Sequence, residues 1–88
     1  MSISHHNYQF IFLTDNSFSA GKLLYRYISE NIIDVYSTRV SDEFKGKGIA
    51  KELYQALILF AIENQLKIKP SCSYIEVMMN RNHPDLIA

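Results

Sequence analysis

"TRVSDEFKGKGIAKELYQAL", residues 38–57, runs through three kinds of local chemistry. It starts on the β-branched end of a strand-like segment. It then crosses a loop in which two glycines sit among lysines, and it continues into a stretch with no helix breaker from Gly48 to Gln65. The chain has only three glycines, and Gly46 and Gly48 are two of them. Ile49, Leu53, Leu57, Phe60 and Ala61 recur at helical spacing on one face, and Ile58, Leu59 and Ile62 widen that apolar stripe. A strand, a loop and a long helix in that order predict a right-handed crossover into a parallel strand.

Two readings of the loop stand side by side. In the first, glycines let the chain turn into a helix and the lysines are solvated. In the second, the loop holds an anion such as phosphate. The first turn of a helix presents unpaired N–H groups and the positive end of the peptide dipole, and it binds anions without side chains. Glycine permits positive φ and a close approach of the backbone to a ligand. Lys45 and Lys47 add charge beside it. The run is not a Walker A loop, since Gly48 is followed by Ile49 and Ala50, and the dinucleotide fingerprint fails because Lys51 stands where its third glycine belongs.

Upstream, "YQFIFL" at Tyr8–Leu13, "LLYRYI" at Leu23–Ile28 and "IIDVYSTRV" at Ile32–Val40 read as strands. Turn chemistry at Thr14–Ser17 and a short connection at Ser29–Asn31 make them an antiparallel meander. Downstream, Leu66–Lys69 reads as a fourth strand stopped by Pro70. A short helix follows within Ser71–Asn82, capped by Ser71 or Ser73. Glu76 would complete a capping box with Ser73, and Pro84 ends the helix. The expected order is β-β-β-α-β-α, an α+β fold with a mixed sheet. Residues 1–7, including the adjacent His5 and His6, read as a flexible tail, and no ligand cluster supports a metal site there.

Composition narrows the function classes. At 88 residues one domain is expected, 1–88, with a small core. A formal net charge of zero argues against a general nucleic-acid binder. Cys72 is the single cysteine, which fits a reducing compartment, and the first twenty residues lack the pattern of a signal peptide. The most apolar window, Ala56–Ile62, is too short to span a bilayer. A cytoplasmic protein, monomeric or weakly dimeric, is expected.

The run from Thr38 to Leu57 resembles the acetyl-CoA-binding segment of the GNAT superfamily of N-acetyltransferases. The family signature Q/R-x-x-G-x-G/A matches Glu43 to Gly48, with Glu43 in place of Gln or Arg. "IKPSCSY" at Ile68–Tyr74 and "RNHP" at Arg81–Pro84 narrow the resemblance to a small single-domain branch, the YjdJ-like or NATD-like group. The resemblance covers roughly Tyr8 to Pro84. It implies a compact, truncated GNAT-like fold that binds acetyl-CoA and transfers the acetyl group to an amine. A non-catalytic acyl-CoA-binding module and a small interaction domain are the alternatives.

By the same resemblance, the cofactor lies along Thr38, Arg39 and Val40 and against Lys45, Gly46, Lys47, Gly48, Ile49 and Ala50. Its pantetheine would enter a gap between Ser37–Val40 and Lys67–Lys69, and the acyl group would arrive near Cys72. A thiol at a helix N-terminus can act as a nucleophile or shuttle a proton; it can equally be a small buried apolar group. Tyr74 and His83 are weaker candidates for proton work. Several features depart from the family pattern. The early helices and last two strands of a full-size enzyme are absent. Ser37 replaces a histidine common in the small branch, and the usual acid tyrosine falls near Met78 and Met79.

Overall fold

A computed structural model describes residues 2–88. Five strands, β1 (Ser2–His6), β2 (Gln9–Leu13), β3 (Ser19–Ser29), β4 (Ile32–Val40) and β5 (Lys67–Pro70), form one sheet in sequence order. β1 to β4 pair antiparallel, and β5 lies parallel to β4. Helix α1 (Ile49–Glu63) makes the crossover between them, and α2 (Ser73–Asn82) follows β5. Short 3₁₀ turns occupy Asp42–Phe44 and Pro84–Leu86. The mixed sheet and crossover are those expected.

Period-two alternation sets the core. Leu23, Tyr25, Ile33, Val35 and Ile68 face the helices, where Leu53, Leu57, Ala61, Ile75 and Met79 meet them in one buried cluster. Both helices cover the same face, and the Tyr54 hydroxyl of α1 reaches the Met78 carbonyl of α2 at 3.4 Å. The Cα trace is 18 Å across its thinnest axis, the depth of one sheet and one helix layer. Gly21 allows this contact: a Cβ there would sit 3.0 Å from both the Arg39 carbonyl and Ile49 Cγ2. β3 therefore begins at Ser19, ahead of the apolar run that marks it in the sequence.

The first residues depart from expectation. Residues 2–6 are not a flexible tail but the edge strand β1, in register with β2 from Ser2↔Leu13 to His6↔Gln9; Met1 lies outside the described residues. Asn7 and Tyr8 close the hairpin with φ of 51° and 62°, the left-handed pair that a two-residue turn requires. No glycine marks that turn, and Tyr8 belongs to it instead of starting a strand. His5 is exposed as a whole, but its ring lies over the aromatic cluster, stacked on Phe10 at 4.0 Å and edge-on to Phe60 at 4.6 Å. Burial holds its pKa below the usual value, with His6 adding to the effect. Burial also pushes Tyr25 up to about 12, so its phenol stays protonated and can donate to His5 Nε2 at 2.6 Å.

The expected cap of α2 also differs. Cys72 occupies the N-cap position and no side chain caps the helix. Ser71 is engaged elsewhere: its hydroxyl donates to Asp34 Oδ1 at 2.5 Å. Asp34 is 2% exposed in the middle of β4, and a buried carboxylate needs donors more than a helix end does. Arg26 supplies two further N–H donors to Asp34 Oδ2, at 3.1 and 3.2 Å.

Candidate functional site: a cleft at the start of the crossover helix

Pairing between β4 and β5 runs from Ile32↔Lys67 to Val35↔Pro70 and stops. At that point β4 carries a bulge: Leu24 faces Ser37 and Tyr25 faces Val35, which leaves Tyr36 without an opposite residue on β3. A bulge bends and twists its strand. The second half of β4 thus continues without a parallel neighbour. Lys67–Lys69 are hydrogen-bonded to β4, so the gap opens beyond Pro70 and not beside those lysines as expected. Cys72 closes its inner end. The Cys72 N–H donates to the Val35 carbonyl at 3.0 Å, and its Sγ lies 3.5 Å from Thr38 Oγ1.

The outer end of the gap is the glycine loop. Gly46 and Gly48 have φ of 81° and 79°, and Gly48 is the N-cap of α1 with no side-chain cap. A Cβ built on either glycine meets no atom within 4 Å. Glycine is favoured there by the backbone and not by crowding, and no side chain caps the first turn of α1. The result is a cleft of about 380 Å³ lined by Thr38, Val40, Phe44, Lys45, both loop glycines, the first turn of α1 and Tyr74.

Most of the residues expected at the cofactor meet here: Thr38, Val40, Lys45, Gly46, Gly48, Ile49 and Ala50. Two side chains go elsewhere. Arg39 is exposed between Thr38 and Val40, so alternation turns it to the opposite face of the sheet. Lys47 leans over the Phe44 ring, 5.9 Å from its centroid. It lines a second hollow of about 660 Å³ that includes Ile3, Phe12, Asp15 and Glu52. The carboxylate residues in that lining oppose a phosphate, whereas the first cleft has Lys45 and Lys51 and no acid in its lining. Lys45 pairs with Asp42 at 3.0 Å, but both are well exposed, so the pair contributes little.

Of the proton-transfer candidates, Tyr74 lines the cleft, and Cys72 touches its Thr38 wall. Burial raises the Tyr74 pKa, and Cys72 beside it adds to the effect. His83 sits outside, its Nδ1 2.5 Å from the Tyr54 hydroxyl in a separate hollow with Lys51, Gln55 and Asn82. Asp34, Ser71 and Tyr54 were not singled out as site residues in the sequence. A lone acid inside a β-branched run was the available signal for Asp34. Among the described residues, no three His, Cys, Asp or Glu side chains gather as a metal site, and no helix is long and apolar enough to cross a membrane.

A bulged strand that parts from its parallel neighbour beside a glycine-started helix defines an acetyltransferase fold of the GCN5-related kind. Residues 9–86 match the family model for GCN5-related N-acetyltransferases, and the chain belongs to that family. It is 40% identical over 60 residues to protein NATD1 of Gallus gallus, which covers 68% of this chain and 54% of that one. It is 32% identical over 80 residues to protein NATD1 of Danio rerio, covering 90% and 73%. The chain thus spans about half the length of the chicken relative. The solution structure of a GCN5-like protein from Staphylococcus aureus superposes with a TM-score of 0.79 at 31% identity, over 99% of this chain and 87% of that one. Nourseothricin acetyltransferase shares the fold at a TM-score of 0.58 and 22% identity, over 68% and 36%.

Proposed function

We propose that the chain binds acetyl-CoA in the cleft at the start of α1 and transfers the acetyl group to an amine. The observation that carries this reading is the pairing of left-handed Gly46 and Gly48 with open space before them. Amides at a helix start suit a pyrophosphate, with Lys45 and Lys51 at the rim. The pantetheine then runs along Thr38 and Val40 toward Cys72. GCN5-related enzymes generally use acetyl-CoA, which supports this choice of ligand.

In the reaction, the amine nitrogen attacks the thioester carbonyl, the C–S bond breaks, and the proton the nitrogen loses balances the one the departing thiolate takes up. Backbone amides of β4 beyond the bulge have no strand on that side to occupy them, and they suit polarisation of the carbonyl. Tyr74 lines the cleft, and its phenol is protonated at neutral pH, the state needed to give that proton. In this reading the Cys72 thiol, 3.5 Å from Thr38 Oγ1, either accepts the acetyl group first or relays a proton. The test is release of free CoA thiol from acetyl-CoA in the presence of a panel of amines, with Cys72→Ala and Tyr74→Phe beside the wild type. Amine-dependent release that falls in the variants supports the reading. Release that no amine stimulates contradicts it.

One observation favours a second reading, an acyl-CoA-binding module without turnover. The hairpin turn at Asn7 and Tyr8 joins β1 directly to β2, with no helix between them to wall an acceptor. Binding of acetyl-CoA without amine-dependent release would select it.

A further inference from the structure

The sheet face turned away from the helices has a charge of its own. Lys22 and Arg26 alternate with buried Leu23 and Tyr25 on β3, and Lys69 follows buried Ile68 on β5. Arg39 lies on the same face, directly opposite Lys22 in the β3–β4 register. All four are exposed. Like charges placed opposite each other weaken an antiparallel pair, so folding alone gives no reason for this arrangement. Among the described residues of these strands the one acid on that face is Asp34, and it is buried against Ser71 and Arg26. The chain as a whole is formally neutral. Its other acids lie outside these strands, on the helices at Glu52, Glu63 and Glu76 and in turns and loops at Asp15, Glu30, Asp42, Glu43 and Asp85. Tyr36, 46% exposed, adds an aromatic surface with the Arg26 guanidinium 5.4 Å from its ring centroid.

We propose that this face docks an acidic polypeptide segment, and that the segment carries the amine to be acetylated. The second half of the statement rests on the transferase reading; the first does not. Charge complementarity names the occupant. The β4–β5 gap breaks the sheet, with Ser37 and Arg39 bordering it on this face and Thr38 and Cys72 on the cleft side. An extended polypeptide can pair its carboxylates with the strand cations and bring one of its own amines to the gap. Small amine-rich cations are repelled by Lys22, Arg39 and Lys69, the cations of this face other than the Asp34-paired Arg26. A nucleic acid shares the negative charge but brings no alkylamine.

The experiment has two arms. In the binding arm, anisotropy of a labelled peptide rich in Asp and Glu, with one central Lys, is measured against the full chain. Duplex DNA and phosphatidylserine vesicles serve as competitors. The double variant Lys22→Glu with Lys69→Gln is the comparison, since neither residue lines the cleft. Docking predicts that the variant weakens peptide affinity about tenfold or more, that raised salt does the same, and that acetyl-CoA affinity is unchanged. Equal affinity in the variant, or tighter binding of DNA or vesicles than of the peptide, overturns it. In the transfer arm the acidic peptide is compared with a Lys- and Arg-rich peptide of the same length. A preference for the acidic peptide supports the proposal, and equal or better use of the basic one overturns its substrate half. Docking without transfer to any amine leaves the surface standing and contradicts the transferase reading.

Discussion

At Gly48 the demand falls on the backbone. A φ of 79° disfavours any residue with a Cβ, yet no neighbour crowds the position. Gly48→Ala is therefore expected to lower stability by about 1 kcal/mol from the left-handed backbone alone, read as a small drop in urea midpoint. Cys72 makes a different demand. If it works on the acetyl group, Cys72→Ala leaves acetyl-CoA affinity nearly intact and reduces transfer, and acetyl-CoA protects the wild-type thiol from a thiol reagent. Unchanged transfer would remove it from the chemistry. The sequence showed the residue types of this site better than their directions. Gly46 and Gly48 were legible because glycine is the residue that takes a left-handed backbone at least cost. The separation of Arg39 and Lys47 from the cleft was not, because strand parity and the turn of the loop decide it. Asp34 was hidden for another reason: an acid in a strand reads as solvent-facing until a hydroxyl from a distant loop is seen to bond it.

Among the elements, α1 ends in a way no glycine announces. Gln65 takes φ of 56°, its N–H donates to the Ile62 carbonyl, and the Leu66 N–H donates to the Ala61 carbonyl at 2.8 Å. This is a Schellman closure with glutamine where glycine is the usual residue. Gln65→Gly is expected to stabilise the chain by roughly 0.5–1 kcal/mol, seen as a higher melting temperature; a lower one would contradict the account. The β4–β5 junction depends on Asp34. Its pKa is held down first by the Ser71 hydroxyl and then by Arg26, against the opposing effect of burial. The ionised form is thus the one the fold favours. Its contribution is present above the unfolded carboxylate pKa, about 3.9, and is lost as pH falls through the lower folded value. Asp34→Asn should lose about 1.5–3 kcal/mol at neutral pH, as loss of hydrogen bonds to a charged group does. The gap from wild type should close in acid, below about pH 4. A gap independent of pH in denaturant melts would contradict this role. The crossover helix was legible from its uninterrupted apolar period, and the fifth strand from its place before Pro70. β1 was not: five residues of mostly polar sequence become a strand because β2 offers an edge and His5 finds Phe10, Tyr25 and Phe60.

Over the whole molecule, one helix layer on one sheet face leaves the other face to solvent, and the cleft is built at the seam where the sheet parts. The helices do not cover all apolar surface: Leu59 and Ile62 on α1 are 59% and 55% exposed. A monomer with at most weak pairing through that flank or the β1 edge is the expectation, and Leu59→Lys should leave the sedimentation coefficient at micromolar concentration unchanged. A loss of mass in that variant would reveal a dimer held by α1. The central claim, however, is that the start of α1 holds the phosphates of acetyl-CoA, and calorimetric titration of acetyl-CoA into the wild type and Gly48→Asp tests it most directly. The wild type should bind with one site per chain, and Gly48→Asp, which sets a carboxylate where amides would meet pyrophosphate, should show no measurable binding while remaining folded by circular dichroism. Equal affinity in the two folded proteins would contradict the account.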